Sequence, residues 1–132
     1  MDIGMNKTLA LTWDAALEAV PAALKAEGFG VLTQINIQAT LKEKLGVDFR
    51  RYTILGACNP SFAHRALSQR LDVGLLLPCN VVLYEADDGK SVELRVIDPM
   101  QTMASMMGES FAALAGEVRT KLARVVAALP GQ

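Results

Sequence analysis

Two cysteines and a single histidine are the side chains of this sequence that could support nucleophilic, metal or redox chemistry. Cys58 and Cys79 are the only thiols, and His64 follows the first of them along the chain. The spacing of Cys58 and His64 matches no standard zinc motif, so metal binding and cofactors stay unknown at this stage. Glycine-rich phosphate loops and the Gly-x-Ser-x-Gly elbow are absent, which leaves the thiols as the main chemical signal.

Three polar residues accompany the thiols and extend the candidate site. Asn59 and Asn80 directly follow the two cysteines, and Asp98 directly precedes Pro99. Each candidate also has a structural interpretation: Asn59 is placed to cap a helix, and Asp98 to begin a turn. A free cysteine often behaves as a small buried hydrophobe, and a lone histidine is often an ordinary surface residue.

A predicted hairpin brings these residues together. The run Asp87-Asp88-Gly89-Lys90 is a strong turn signal between predicted strands at 79–86 and 91–98. The resulting register places Val81 opposite Val96, Leu83 opposite Leu94, and Cys79 opposite Asp98. If strand 52–58 is the antiparallel neighbour, its last residue lies at the same end of the sheet. We therefore expect the candidate ligand-binding residues to converge there: Cys58, Asn59, His64, Cys79, Asn80 and Asp98.

Two longer helices are predicted from apolar residues at helical spacing. The first spans 13–27, with Thr12 as its N-cap, Gly28 after its last residue and a bend near 17–21 caused by Pro21. The second begins near Glu109 and closes the chain.

The remaining predicted elements are strands and short helical insertions. The strand at 52–58 is nearly all apolar, which predicts cover on both faces. A helix at 37–45 should bury Ile37, Leu41 and Leu45, between the Asn36 cap and Gly46. The others are strands at 3–11 and 28–35, a helix from Pro60 to about Arg70, and a short helix around Met100–Met107.

This order predicts a single α+β domain over residues 1–132. We expect a curved antiparallel sheet of about five strands, with two main helices on one face and short helical insertions. The chain has 13 basic and 14 acidic residues and 5% aromatic residues, so nucleic acid is not an expected partner. Hydrophobic residues make up 52%, which excludes a disordered chain and suggests extra buried surface in a pocket or subunit interface.

The uncharged runs are too short for a membrane helix, and the first residues do not resemble a secretion signal. Two cysteines are also too few for a disulfide framework. We therefore expect a cytoplasmic protein that does not interact with membranes.

Four segments together resemble an uncharacterised family, domain of unknown function 302. They are Glu27-Gly-Phe-Gly-Val-Leu, Leu41-Lys-Glu-Lys-Leu-Gly-Val-Asp, Gly56-Ala-Cys-Asn-Pro, and the run from Gly74 to Glu85. The resemblance implies a small bacterial or archaeal protein, often dimeric, with a fold similar to that of the TATA-box-binding protein. It implies no catalytic roles, and such a sheet does not by itself imply DNA binding.

Three hypotheses follow for function. The first is a homodimeric, non-enzymatic domain that binds a small molecule between sheet and helices, near Cys58, Cys79, Asn80 and Asp98. The second is a thiol site for sulfur, metal or redox chemistry, which needs an exposed thiol of lowered pKa. The third is a structural module that associates through the Met100–Met107 region.

Overall fold

A five-stranded antiparallel sheet is the centre of the computed structural model, which describes residues 2–132. The spatial order of the strands is β1-β5-β4-β3-β2, so β4 lies in the middle. This confirms the predicted α+β fold with an antiparallel sheet. The strands are β1 (Gly4–Leu9), β2 (Gly30–Asn36), β3 (Tyr52–Cys58), β4 (Cys79–Glu85) and β5 (Val92–Ile97).

Two long helices cover one face of the sheet, as predicted, and shorter helices fill the connections. None of the helices within residues 2–132 is both long and apolar enough to cross a bilayer. The helices are α1 (Trp13–Ala26), α2 (Ile37–Leu45), α3 (Pro60–Gln69), α4 (Met103–Met107) and α5 (Ala112–Ala128), with 3-10 segments at Leu71–Leu76 and Glu109–Phe111.

The ends of α1 follow from local chemistry. The Thr12 hydroxyl accepts a hydrogen bond from the Ala15 N–H at 3.2 Å, which satisfies one free donor of the first turn. After the helix, Gly28 adopts a φ of +86°, a conformation that disfavours other residues. The helix continues through Pro21, and its buried stripe contacts the sheet through Ala16, Val20 and Leu24.

The closing helix α5 is held at its C-terminal end by β1. The Lys7 ammonium donates to the carbonyl of Val126 at 2.9 Å and to that of Leu129. A cation stabilises these carbonyls because the helix dipole is negative there. One side of α5 is buried in the core along the length of the helix; its buried residues are Leu114, Ala115, Val118, Leu122 and Val125.

The β4–β5 hairpin confirms the predicted register. Val81 pairs with Val96 and Leu83 with Leu94, and all four of these side chains are buried. Glu93 and Arg95 alternate with them and are only partly buried, as expected for the open face of the sheet. The register therefore fixes which face of β4 meets the helices.

Two burial predictions were wrong. Helix α2 has no buried residue, and Leu45 is 69% exposed, because α2 follows the edge strand β2 and has no helix above it. Strand β3 is covered by helices on one face only, so Tyr52 and Ile54 remain partly exposed. On the open face its apolar residues pack across strands instead, as where Tyr52 stacks on Tyr84 with ring centroids 5.4 Å apart.

Candidate functional site

Cys79 begins the central strand at the end of the sheet opposite the hairpin turn. It pairs with Ala57 of β3, and Cys58 is the next residue and the last of that strand. Both thiols are free and partly buried. Burial, and to a smaller extent the nearby Cys58, raises the pKa of Cys79 to about 11. Cys79 is therefore a protonated, neutral thiol at pH 7.

The two cysteines and Asn59 line the same small cavity between the sheet and the helices, which we call the inner pocket. Its other lining residues are apolar and include Phe29, Phe62, Ala66, Leu114 and Val118. The free volume is about 20 Å³, room for roughly one water molecule. Side chains therefore fill most of the space between the sheet and the helices in which a ligand was expected.

A larger groove adjoins the inner pocket, with a volume of about 250 Å³. It lies between the 3-10 segment Leu71–Leu76, the end of β5 and the start of α4. Asn80 and Thr102 line it, among apolar residues that include Leu75, Ile97 and Pro99. The groove and the inner pocket share four lining residues, which form the wall between them: Leu77, Pro78, Cys79 and Met103.

Asn59 occupies the predicted N-cap position of α3, but its side chain makes no capping hydrogen bond. Instead its amide nitrogen lies 3.5 Å from the carbonyl oxygen of Glu27, at the end of α1. Asn59 therefore lies between the start of α3 and the end of α1, and also lines the inner pocket.

Asp98 lines neither cavity. Its buried carboxylate accepts a hydrogen bond from the Met100 N–H at 2.9 Å and one from Arg119 Nε at 2.9 Å. The pairing of β4 with β5 ends at Val81 and Val96, before the predicted pair of Cys79 and Asp98. Asp98 thus fixes the turn after β5 and ties it to α5, in agreement with its structural interpretation.

His64 lies on the exposed side of α3 and lines neither cavity. Within residues 2–132, no three histidine, cysteine, aspartate or glutamate side chains are grouped as a metal site would require. Four of the six predicted site residues therefore line the two adjoining cavities: Cys58, Asn59, Cys79 and Asn80. The other two, Asp98 and His64, line neither cavity.

Sequence reasoning missed Met103 and Thr102 as lining residues of the site. Met103 is 4% exposed, so it belongs to the core, and it also lines both cavities, a position that its sequence context did not indicate. The spacing of the methionines predicted the short helix but not its position beside β4.

The chain is a small α+β domain with helices on one face of its sheet and a groove lined by uncharged residues at one end. The family model of the domain of unknown function DUF302 matches residues 5–129, and the chain belongs to this family. The chain is also similar to the crystal structure of an uncharacterised conserved DUF302 protein from Bacillus stearothermophilus. The TM-score is 0.87 at 30% sequence identity, over 95% of this chain and 96% of the other. No curated protein matches the chain. The family resemblance seen in the sequence is confirmed.

Proposed function

We propose that this protein is a non-enzymatic domain that binds a small molecule in the groove beside Cys79. The observation that carries the proposal is a groove of about 250 Å³ whose lining includes Cys79, Asn80 and Thr102 among apolar residues. Ligand sites combine an apolar lining with a few polar groups in this way, in volumes of roughly 300–1,000 Å³. The groove suits a molecule at or below the lower end of that range.

The chemistry of the lining favours binding over catalysis. No carboxylate, imidazole or amine lines the groove or the inner pocket, so both cavities lack the side chains that most often serve as general acids and bases. The raised pKa of Cys79 leaves its thiol protonated at pH 7, and a protonated thiol is a poor nucleophile.

The test is a substitution that fills the groove, combined with detection of the bound molecule. Native mass spectrometry of the purified protein should detect a small molecule that co-purifies with the wild type and is lost in Thr102→Trp. Thr120→Trp on the exposed side of α5 is the matched control and should retain it. If Thr102→Trp is folded and retains the same molecule, the groove is not the binding site.

A second candidate function is a thiol site, because Cys58 and Cys79 line the same cavity. The raised pKa of Cys79 leaves Cys58 as the thiol that would have to react. Iodoacetamide labelling of the native protein at pH 7, with Cys58→Ser and Cys79→Ser for assignment, tests this. Labelling of Cys58 without denaturant supports the thiol site, and labelling of both cysteines only after unfolding contradicts it.

We also propose that the protein forms a homodimer through the exposed apolar side chains beside the groove. Leu71 is 86% exposed and Met106 is 69% exposed, on two segments that contact each other. Large exposed apolar side chains grouped in this way favour association. The buried Met103 is not part of this surface.

Sedimentation equilibrium tests the dimer. The double variant Leu71→Glu, Met106→Glu should lower the mass to that of one chain. Leu32→Glu, a change at a residue 68% exposed on the edge strand β2, should leave the mass unchanged. The reverse pattern would place the interface at the sheet edge and contradict this surface.

We also propose a cytoplasmic location for the protein. Two free cysteines in a chain of this length are typical of a reducing compartment, which supports a cytoplasmic location.

A further inference from the structure

The lining of the site is uncharged throughout. Neither the groove nor the inner pocket has an acidic, basic or histidine side chain among its lining residues. Asp98 lies in the chain between the groove residues Ile97 and Pro99, but Arg119 and the Met100 N–H already bind its carboxylate. A charged molecule in this site would lose its hydration without gaining a partner of opposite charge.

The wall between the two cavities includes one intrinsically flexible side chain, that of the buried Met103. Met103 is unbranched, with three rotatable bonds beyond its Cα, and belongs to the five-residue helix α4. The other wall residues lead into or begin the central strand β4. Small side chains, Ala57, Ala63 and Ala66, line the inner pocket behind the wall. The inner pocket alone has room for roughly one water molecule, so an apolar chain can enter it only where the Met103 side chain rotates out of the wall and adds its own volume to the pocket.

We infer that the ligand is an uncharged, elongated molecule whose apolar chain passes Met103 and enters the inner pocket. This inference rests on the proposed function, since it concerns the same site. The polar end of the molecule lies in the groove, whose lining includes the polar residues Asn80 and Thr102; the Thr102 hydroxyl can donate and accept a hydrogen bond.

The first experiment tests the charge. The probe N-phenyl-1-naphthylamine is uncharged, and 8-anilinonaphthalene-1-sulfonate has the same ring system with a sulfonate. We expect saturable fluorescence enhancement with the uncharged probe and at least tenfold weaker binding of the anion. Equal affinity for the two probes would overturn the inference that the site selects uncharged molecules.

The second experiment tests the depth of the site. Primary alcohols from butanol to decanol displace the uncharged probe, and their affinity should rise about threefold to fourfold with each methylene group. In Ala63→Leu, which fills the inner pocket, the rise should stop at a shorter chain than in the wild type. Ala113→Leu, at an exposed position of α5, is the matched control. The same limiting chain length in wild type and Ala63→Leu would show that the ligand does not enter the inner pocket.

The Thr102→Trp variant separates the two proposals. If it abolishes probe binding while the two probes bind the wild type equally, the groove is the site and the inferred ligand class is wrong. If a folded Thr102→Trp variant binds both probes as the wild type does, the proposed site itself is wrong. A melting temperature within a few degrees of the wild type establishes that each variant is folded.

Discussion

The two ends of the central strand β4 differ in charge. At the hairpin end, Arg50 pairs with Asp87 at 2.8 Å, and the Asp88 carboxylate accepts three hydrogen bonds from Lys90 and Ser91. At the other end, Cys79 begins the strand between two cavities that have no charged lining residue. The charged end also has a cavity, of about 300 Å³, but the charged residues that line it pair with one another, Arg50 with Asp87 and Arg95 with Glu93. The groove at the other end is lined by uncharged residues.

The difference teaches where a candidate site should be sought in a small domain. The charged groups of the hairpin end are bound by neighbours of the same chain, so they hold the turn together. At the groove end the polar groups are neutral and lie beside free volume, as in sites for small molecules. Asp98 lies near the groove end, and its carboxylate is buried. Like the charged groups of the hairpin end, it is bound by a neighbour of the same chain, Arg119, and so has a structural role.

Asp98→Ala should have the largest effect on stability. It leaves the Met100 N–H without its acceptor and Arg119 without its partner, so we expect the free energy of unfolding to fall by about 3 kcal/mol. Urea denaturation measures this change. Asp87→Ala at the hairpin end is the matched control, and since Asp87 is 93% exposed its loss should cost less than about 0.5 kcal/mol.

The same variant tests whether Asp98 has only a structural role or also acts on the ligand. At a temperature where Asp98→Ala is folded, we expect weaker binding of both probes by the same factor, because Asp98 fixes the turn that carries the groove residues Pro99 and Thr102 while its carboxylate lines neither cavity. A change in the ratio of the two probe affinities would mean that the Asp98 charge acts on the ligand.

The second prediction concerns alkaline pH and Cys79. Its pKa is raised from 9.0 to about 11, so between these values the folded protein retains a proton that the unfolded chain has lost. Unfolding therefore releases a proton, and the stability due to this thiol, on the order of 2 kcal/mol, is lost as pH rises from about 9 to about 11. Urea denaturation at a series of pH values should show a steeper decline in the wild type than in Cys79→Ala. Equal slopes in wild type and Cys79→Ala would contradict a buried neutral thiol, while Cys58→Ser should retain the steeper decline.

The third prediction concerns acid pH at the hairpin end. The Ser91 hydroxyl and the backbone N–H groups of Ser91 and Lys90 lower the pKa of Asp88 from 3.8 to about 2. The stabilising effect of these bonds is present above about pH 4 and is lost as pH falls toward 2. An NMR titration of the Asp88 carboxyl carbon should have its midpoint near 2, and Ser91→Ala should move that midpoint toward 3.8. A midpoint that does not change in Ser91→Ala would show that this hydroxyl does not cause the shift.

Much of the fold could be predicted because its signals are local. The cap at Thr12, Gly28 after α1 and the turn after β4 each fix an element boundary within a few residues. The burial of α2 could not be predicted in this way. Its apolar spacing was correct for a helix, but whether another layer covers the helix depends on the position of β2 at the sheet edge.

The candidate site could be predicted only in part, for the same reason. Strand pairing placed Cys58 near Cys79, since register follows from the turn and the alternation of side chains. The position of Met103 depends on the path of the chain after β5, for which the sequence has no periodic signal. The free volume depends on how closely the helices pack, and no local pattern encodes it.

The smallest effect is expected for His64→Gln. The side chain is exposed on α3 and lines neither cavity, so its loss should change the free energy of unfolding by less than about 0.5 kcal/mol. At each pH between 5 and 8, the probe affinity and the labelling rate of Cys58 should be the same in His64→Gln as in the wild type. Asn59→Ala is the useful comparison, because Asn59 lines the inner pocket and should alter the binding of long alcohols. A change in the Cys58 labelling rate in His64→Gln would mean that the histidine acts on the thiol, and would favour the thiol site over the uncharged groove.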